Sequence, residues 1–234
     1  MRLPLSRRTL LVCLASAFAL EFTLLAIDPV DRSTWVLENL LVAVVVGGLI
    51  ASYRLFRFSV ISYSLIFTFL ALHEIGSHYT YSLVPYDDWW RAVFGVSLND
   101  VAGFERNHFD RAIHFMYGLL LAYPIREIFL RVANVRGFWG YFLPLDLTMS
   151  SSMLYELLEW GVAFFFGGDL GHHYLGSQGD PWDAHKDMAL ASLGALITMT
   201  FNASINRIRQ RDFAAEWARS LDVKIPDPPE EEAE

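Results

Sequence analysis

Charge and cysteine are the two things this chain has least of. Only 19% of its 234 residues are Asp, Glu, Lys or Arg, against about a quarter in an ordinary soluble domain. One cysteine is present, Cys13, so no internal disulfide framework holds the fold. No basic patch with interleaved aromatics occurs, which removes the usual footprint of a nucleic-acid binder. A nucleophile elbow, a phosphate-binding glycine loop and a dinucleotide fingerprint are all missing. No internal repeat is visible either.

What is present is apolar. Hydrophobic residues make up 54% of the chain and aromatics 15%. Six stretches are long and apolar enough to cross a bilayer, at about 20 residues each. They fall near 9–27, 35–53, 58–78, 111–131, 138–166 and 187–206. The expected fold is therefore all-α, a polytopic membrane protein of about six helices, because helices satisfy their own backbone bonds in lipid. Within the fifth stretch, GFWGYFLPLD reads as an interfacial lead-in. Residues 207–234 read as a cytoplasmic tail, acidic and disordered at its PEEEAE end.

The basic residues set an orientation. With the N-terminus inside, Arg2, Arg7, Arg8, Arg54, Arg57, Arg126, Arg131 and Arg136 lie inside, as do all basic residues from 207 on. Only Arg32, Arg91, Arg106, Arg111 and Lys186 of the 18 lie outside. Both termini are expected inside. SRRTLL resembles a twin-arginine signal, but the apolar run continues to Leu25 and carries Glu21, so the first helix is read as retained. In the long outer loop, PYDDWWRAVFG reads as a short amphipathic segment at the headgroup layer.

That orientation puts all seven histidines on the outer side. Four helix ends also bring acids there. Ionisable groups at membrane depth are costly and point to function by default. In LHEIGSHYTY, Glu74 and His78 are four apart and share a helix face. His73 and His78 are five apart, so this is not the HExxH of zinc proteases. In GFERNHFDRAIHFMYG, Asp110 and His114 share a face. Asp110 also suits a helix N-terminus without any further role. In YELLEW, Glu156 and Glu159 are three apart on one face. Two such carboxylates repel unless a proton, a cation or an arginine intervenes. In GDPWDAHKDMALASLGA, Asp183 and Asp187 are four apart, and Asp180 precedes a proline as a capping residue does. His172 and His173 read as solvated loop residues, and His108 and His185 as rim residues.

The candidate set is therefore Glu74, Asp110, Glu156 and Glu159 as acid–base groups. His73, His78, His114, Asp183 and Asp187 are the candidate metal ligands. Imidazole and carboxylate donors suit a divalent cation such as Zn, Fe or Mn. Three functions compete: a metal-dependent enzyme acting on a lipid or envelope substrate, a proton- or cation-linked transporter or lipid-handling protein, and an accessory protein whose polar groups only pair with each other. The expected partner is membrane lipid; nucleic acid is not.

The four motifs HEIGSHYTY, GFERNHFDRAIHFMYG, YELLEW and GSQGDPWDAHKDM, in that order, resemble the YjdF-type inner-membrane proteins of bacteria. HFDRAIHFMYGLLL with YELLEW is more distantly similar to the VanZ-like pattern. The added HEIGSHY element and the long loop after it depart from that wider pattern. The resemblance implies an inner-membrane location and a role at the cell envelope, and carries no reaction with it.

Overall fold

A computed structural model describes residues 6–167, 177–210 and 213–222. Among these, every regular element is a helix: α1 (Arg7–Leu25), α2 (Arg32–Ser52), α3 (Val60–His78), α4 (Tyr86–Phe94), α5 (Leu98–Ala102), α6 (Phe109–Arg131), α7 (Trp139–Phe166), α8 (Asp183–Arg209) and α9 (Phe213–Ser220). Five of them, α1, α2, α3, α6 and α8, are long and apolar enough to cross a membrane. The sixth expected span, α7, has 28 residues, about 42 Å at 1.5 Å per residue. Ser150, Ser151, Ser152, Glu156 and Glu159 lower its hydropathy, and it packs between α6 and α8.

Helix starts follow local chemistry. Ser6, Asp31 and Ser59 each accept a backbone N–H in the first turn of α1, α2 and α3, as N-cap side chains do. Observed bounds differ from the sequence expectation by a few residues. The largest shift is in α8, which begins at Asp183 rather than 187 and thereby puts Asp183 and Asp187 on one continuous face.

The α6–α8 crossing is the closest in the bundle. A Cβ on Gly118 would lie 1.8 Å from the Ala191 carbonyl oxygen, and one on Gly194 would lie 2.3 Å from that of Phe115. Ala122, Ala191 and Ala195 are fully buried there. Small residues let backbones meet in lipid, where packing replaces the hydrophobic effect. The Thr198 hydroxyl donates to the Leu119 carbonyl across the same contact at 2.6 Å.

The described segment after α8 carries a further helix, α9. Phe213 of α9 meets Tyr141 edge-on, Trp217 packs on Tyr141 at a tilt, and Trp217 also meets Phe138. The Phe138 backbone N–H donates to the Ser220 hydroxyl at 2.9 Å. This apolar face ties the chain beneath the start of α7. The acidic end of the tail lies outside the described residues.

Candidate functional site

The five described histidines, His73, His78, His108, His114 and His185, all lie at one end of the bundle, where α3 ends and α6 and α8 begin. His172 and His173 lie outside the described residues. The site at this end is organised by two ladders. On α6, Asp110, His114, Gly118 and Ala122 recur every four residues. On α8, Asp183, Asp187, Ala191 and Ala195 do the same. The close glycine–alanine crossing therefore fixes His114 and Asp187 one turn above the point of contact, facing each other. The result is a group of three donors: one ligand atom each from Asp110, His114 and Asp187, all within 4.8 Å of one another.

Helix α7 closes the group. His114 Nε2 lies 3.4 Å from Glu156 Oε1 and 3.7 Å from Asp110 Oδ1. Glu159 is buried beside Glu156 and lies in the electrostatic field of Asp110 and Asp187 as well. Glu156 Oε1 and Asp187 Oδ1 have no hydrogen-bond partner among the described residues. Both side chains are more than nine-tenths buried. An orphaned buried acceptor costs about 1–3 kcal/mol, and more if charged.

The arginines go elsewhere. Arg106 pairs with Asp183 at 2.8 Å, and Arg111 pairs with Asp183 at 3.0 Å and also with Asp180. Lys186 reaches Asp180 at 2.5 Å. Asp183 is thus placed in a rim of ion pairs, with both oxygens engaged, and outside the three-donor group. Asp180 accepts from the Trp182 backbone N–H at 3.0 Å in the turn before α8; it does not cap the helix, which starts at Asp183 with Trp182 in the N-cap position. Lys186, that N–H and Arg111 together hold its carboxyl well below the usual carboxylate range. At the start of α6, burial first and then the guanidinium groups of Arg111 and Arg106 push His108 below the ordinary histidine range.

The HEIGSHYTY motif has a different task for each residue. His73 Nε2–H donates to the Glu38 carbonyl at 3.4 Å, and Nδ1 accepts from the Tyr81 hydroxyl, the tautomer that satisfies both. Tyr81 can fold back onto α3 because residue 76 is glycine; a Cβ there would lie 2.5 Å from the Tyr81 ring. His78 Nδ1–H donates to the Leu25 carbonyl at 2.7 Å and pins the end of α1. Glu74 is fully enclosed between α1 and α2, with Asn39 and Glu21 as its polar neighbours. His73, His78 and Glu74 are therefore not brought into the three-donor group.

Of the pair that bridges α2 and α7, Glu38 is a candidate from the sequence and Tyr155 is not. The Tyr155 hydroxyl of α7 donates to Glu38 Oε2 of α2 at 2.9 Å. The only advance signal was that Tyr155 precedes Glu156 in YELLEW. Below this bridge lies a cavity of about 550 Å³ between α2, α3, α6 and α7. Its walls are almost wholly apolar, while His73, Tyr81, Asp110, His114 and Tyr155 line it at the polar end.

Comparison with known proteins now adds a name for the architecture. Residues 10–207 match the family described as "Predicted membrane protein (DUF2238)". This chain belongs to that family. It is 35% identical over 211 residues to "Inner membrane protein YjdF" of Escherichia coli (strain K12), an alignment covering 88% of this chain and 97% of that protein. No solved structure matches. The family match takes in all six long helices but for the first three residues of α1 and the last two of α8, and the protein is an integral protein of the inner membrane.

Proposed function

We propose that this protein is a cation-dependent inner-membrane enzyme acting on a lipid or envelope substrate at the outer face. Asp110, His114 and Asp187 hold the cation, and Glu156 and Glu159 serve as acid–base groups. The observation that carries this reading is the convergence of three donor atoms from two helices beside two further acids, with the neighbouring arginines bonded to Asp180 and Asp183 instead. One imidazole and two carboxylates suit Zn, Fe or Mn. A bound cation supplies Lewis-acid polarisation and a more acidic bound water. The chain's own part is to aim the donors through the α6–α8 crossing, to keep the rim arginines occupied, and to place Glu156 within reach of the His114 ring for proton transfer. The outer-face assignment rests on the excess of basic residues at the opposite end.

Proton- or cation-linked transport would require a polar path to that opposite end. Of the acids there, Glu127 is already engaged by the Ser59 backbone N–H, by Ser62 and by Arg131, and Asp146 is exposed on α7, which disfavours that alternative.

Elemental analysis of gently extracted protein tests the reading. About one divalent cation per chain is expected in the wild type, falling below a tenth of that in His114→Ala and Asp187→Asn. Wild-type protein that is metal-free after gentle extraction, with a melting temperature unmoved by added Zn, Fe or Mn, would sink it.

A further inference from the structure

Most of the cavity below the Tyr155–Glu38 bridge lies away from the proposed cation site, and its polar end is lined by Asp110 and His114. Protein interiors are close-packed, and a chamber of this size is far above the usual void. It falls within the range of small-ligand pockets, about 300–1,000 Å³. Its α6 wall runs from Asp110 to Ile128, roughly 27 Å of helix. That is close to the depth of a 30 Å hydrocarbon core.

The chamber also has a side opening. Leu41 and Val44 of α2 and Leu154 and Leu158 of α7 line it and are at the same time exposed, Val44 by 71% and Leu158 by 63%. These four residues form two lips at membrane depth, so the mouth faces hydrocarbon rather than water. Gly48 lines the same wall, and a Cβ there would have nothing within 4 Å. The deep wall is different: Ile66 and Phe69 of α3 are each only 8% exposed, out of reach of lipid that merely surrounds the protein.

We propose that this chamber holds one hydrocarbon chain of a membrane lipid, which enters laterally between α2 and α7 and leaves its headgroup beside Asp110 and His114. The polar and apolar parts of the site then match the two parts of a single lipid molecule. The inference rests on the proposed cation site only for what happens to the headgroup.

The test uses full-length protein in phospholipid vesicles containing a phospholipid with a diazirine on one acyl chain. After illumination, labelled residues are mapped by mass spectrometry. Labelling is expected at Ile66 and Phe69, falling at least fivefold in Gly48→Phe, while labelling at Leu24 on the outer surface of α1 stays the same. Gly48→Leu, a smaller plug, is expected to fall by less and guards against a folding failure. Absence of label at Ile66 and Phe69, or equal labelling in both plugged variants, overturns the proposal. Asp187→Asn separates it from the cation reading. Label retained in a wild-type protein that binds no metal leaves the chamber and removes the cation. Metal bound without deep label does the reverse.

Discussion

The two ends of this bundle treat buried acid in opposite ways. At the basic end, Glu127 has a full set of partners. The Ser59 backbone N–H donates to its two oxygens at 2.9 and 3.0 Å, Ser62 donates at 2.5 Å, and Arg131 caps it. At the other end, Glu156 and Asp187 each keep an orphaned oxygen, although Arg106 and Arg111 stand close by on the rim. The available cations have been spent on Asp180 and Asp183. A chain selected for stability alone would have treated both ends like the first. On the proposed reading, the difference separates an acid that holds helices together from acids kept available.

The comparison breaks most severely if the crossing beneath the histidine end is forced apart. Gly118→Leu drives a side chain into the Ala191 backbone, and loss of the folded protein is expected, read as aggregation on size-exclusion chromatography in detergent. Next in size is cation affinity. His114→Ala is expected to weaken it at least 100-fold, about 2.7 kcal/mol, in a competition titration, whereas Glu127→Ala should leave it unchanged. For stability without metal the order reverses. Glu127→Ala strands the Ser59 and Ser62 donors and should cost about 1–3 kcal/mol, while Glu159→Gln relieves crowding among acids and should raise the melting temperature slightly. If Glu159→Gln lowers it instead, these carboxylates are structural and the contrast fails.

The smallest expected effect is that of pH on the rim. The carboxyl of Asp180 is depressed in the folded state, so its contribution is full above the unfolded value of about 3.9. It is lost only as pH falls toward the lower folded value. Melting curves of the wild type and Asp180→Asn should therefore differ at pH 6 and converge in strong acid. A constant gap down to the lowest accessible pH would remove Asp180 from the ion-pair rim.

Much of the fold could be read from the sequence, because apolar runs and capping residues are local signals. The pairs within one helix were legible as well: Asp110 with His114, Asp183 with Asp187, and Glu156 with Glu159 follow from a period of 3.6 residues. What sequence could not assign was which pair faces what. Asp183 and Asp187 look alike on paper, yet one meets two arginines and the other meets His114. That choice depends on the depth at which α6 crosses α8, set by Gly118 and Gly194 from opposite helices. For the same reason His73 and His78 read as ligands but are bonded to Glu38, Tyr81 and Leu25, which come from elsewhere in the chain. The Tyr155–Glu38 bridge and the chamber beneath it join residues more than 100 positions apart, beyond any local pattern.

The glycine crossing also bears on how this chain can change over time. His114 stands four residues before Gly118, and Asp187 four before Ala191, so a single inserted residue within either interval would rotate the donor by about 100° around its helix while the crossing stayed in place. Point changes on the outer faces of α6 and α8 are absorbed by lipid, and extra residues at the exposed 101–105 turn only lengthen a surface path. Insertions and deletions between 110 and 122, or between 183 and 195, are expected to be barred even where every individual side chain could be replaced. The spacing itself, more than any one residue in it, is the part of the gene that cannot drift.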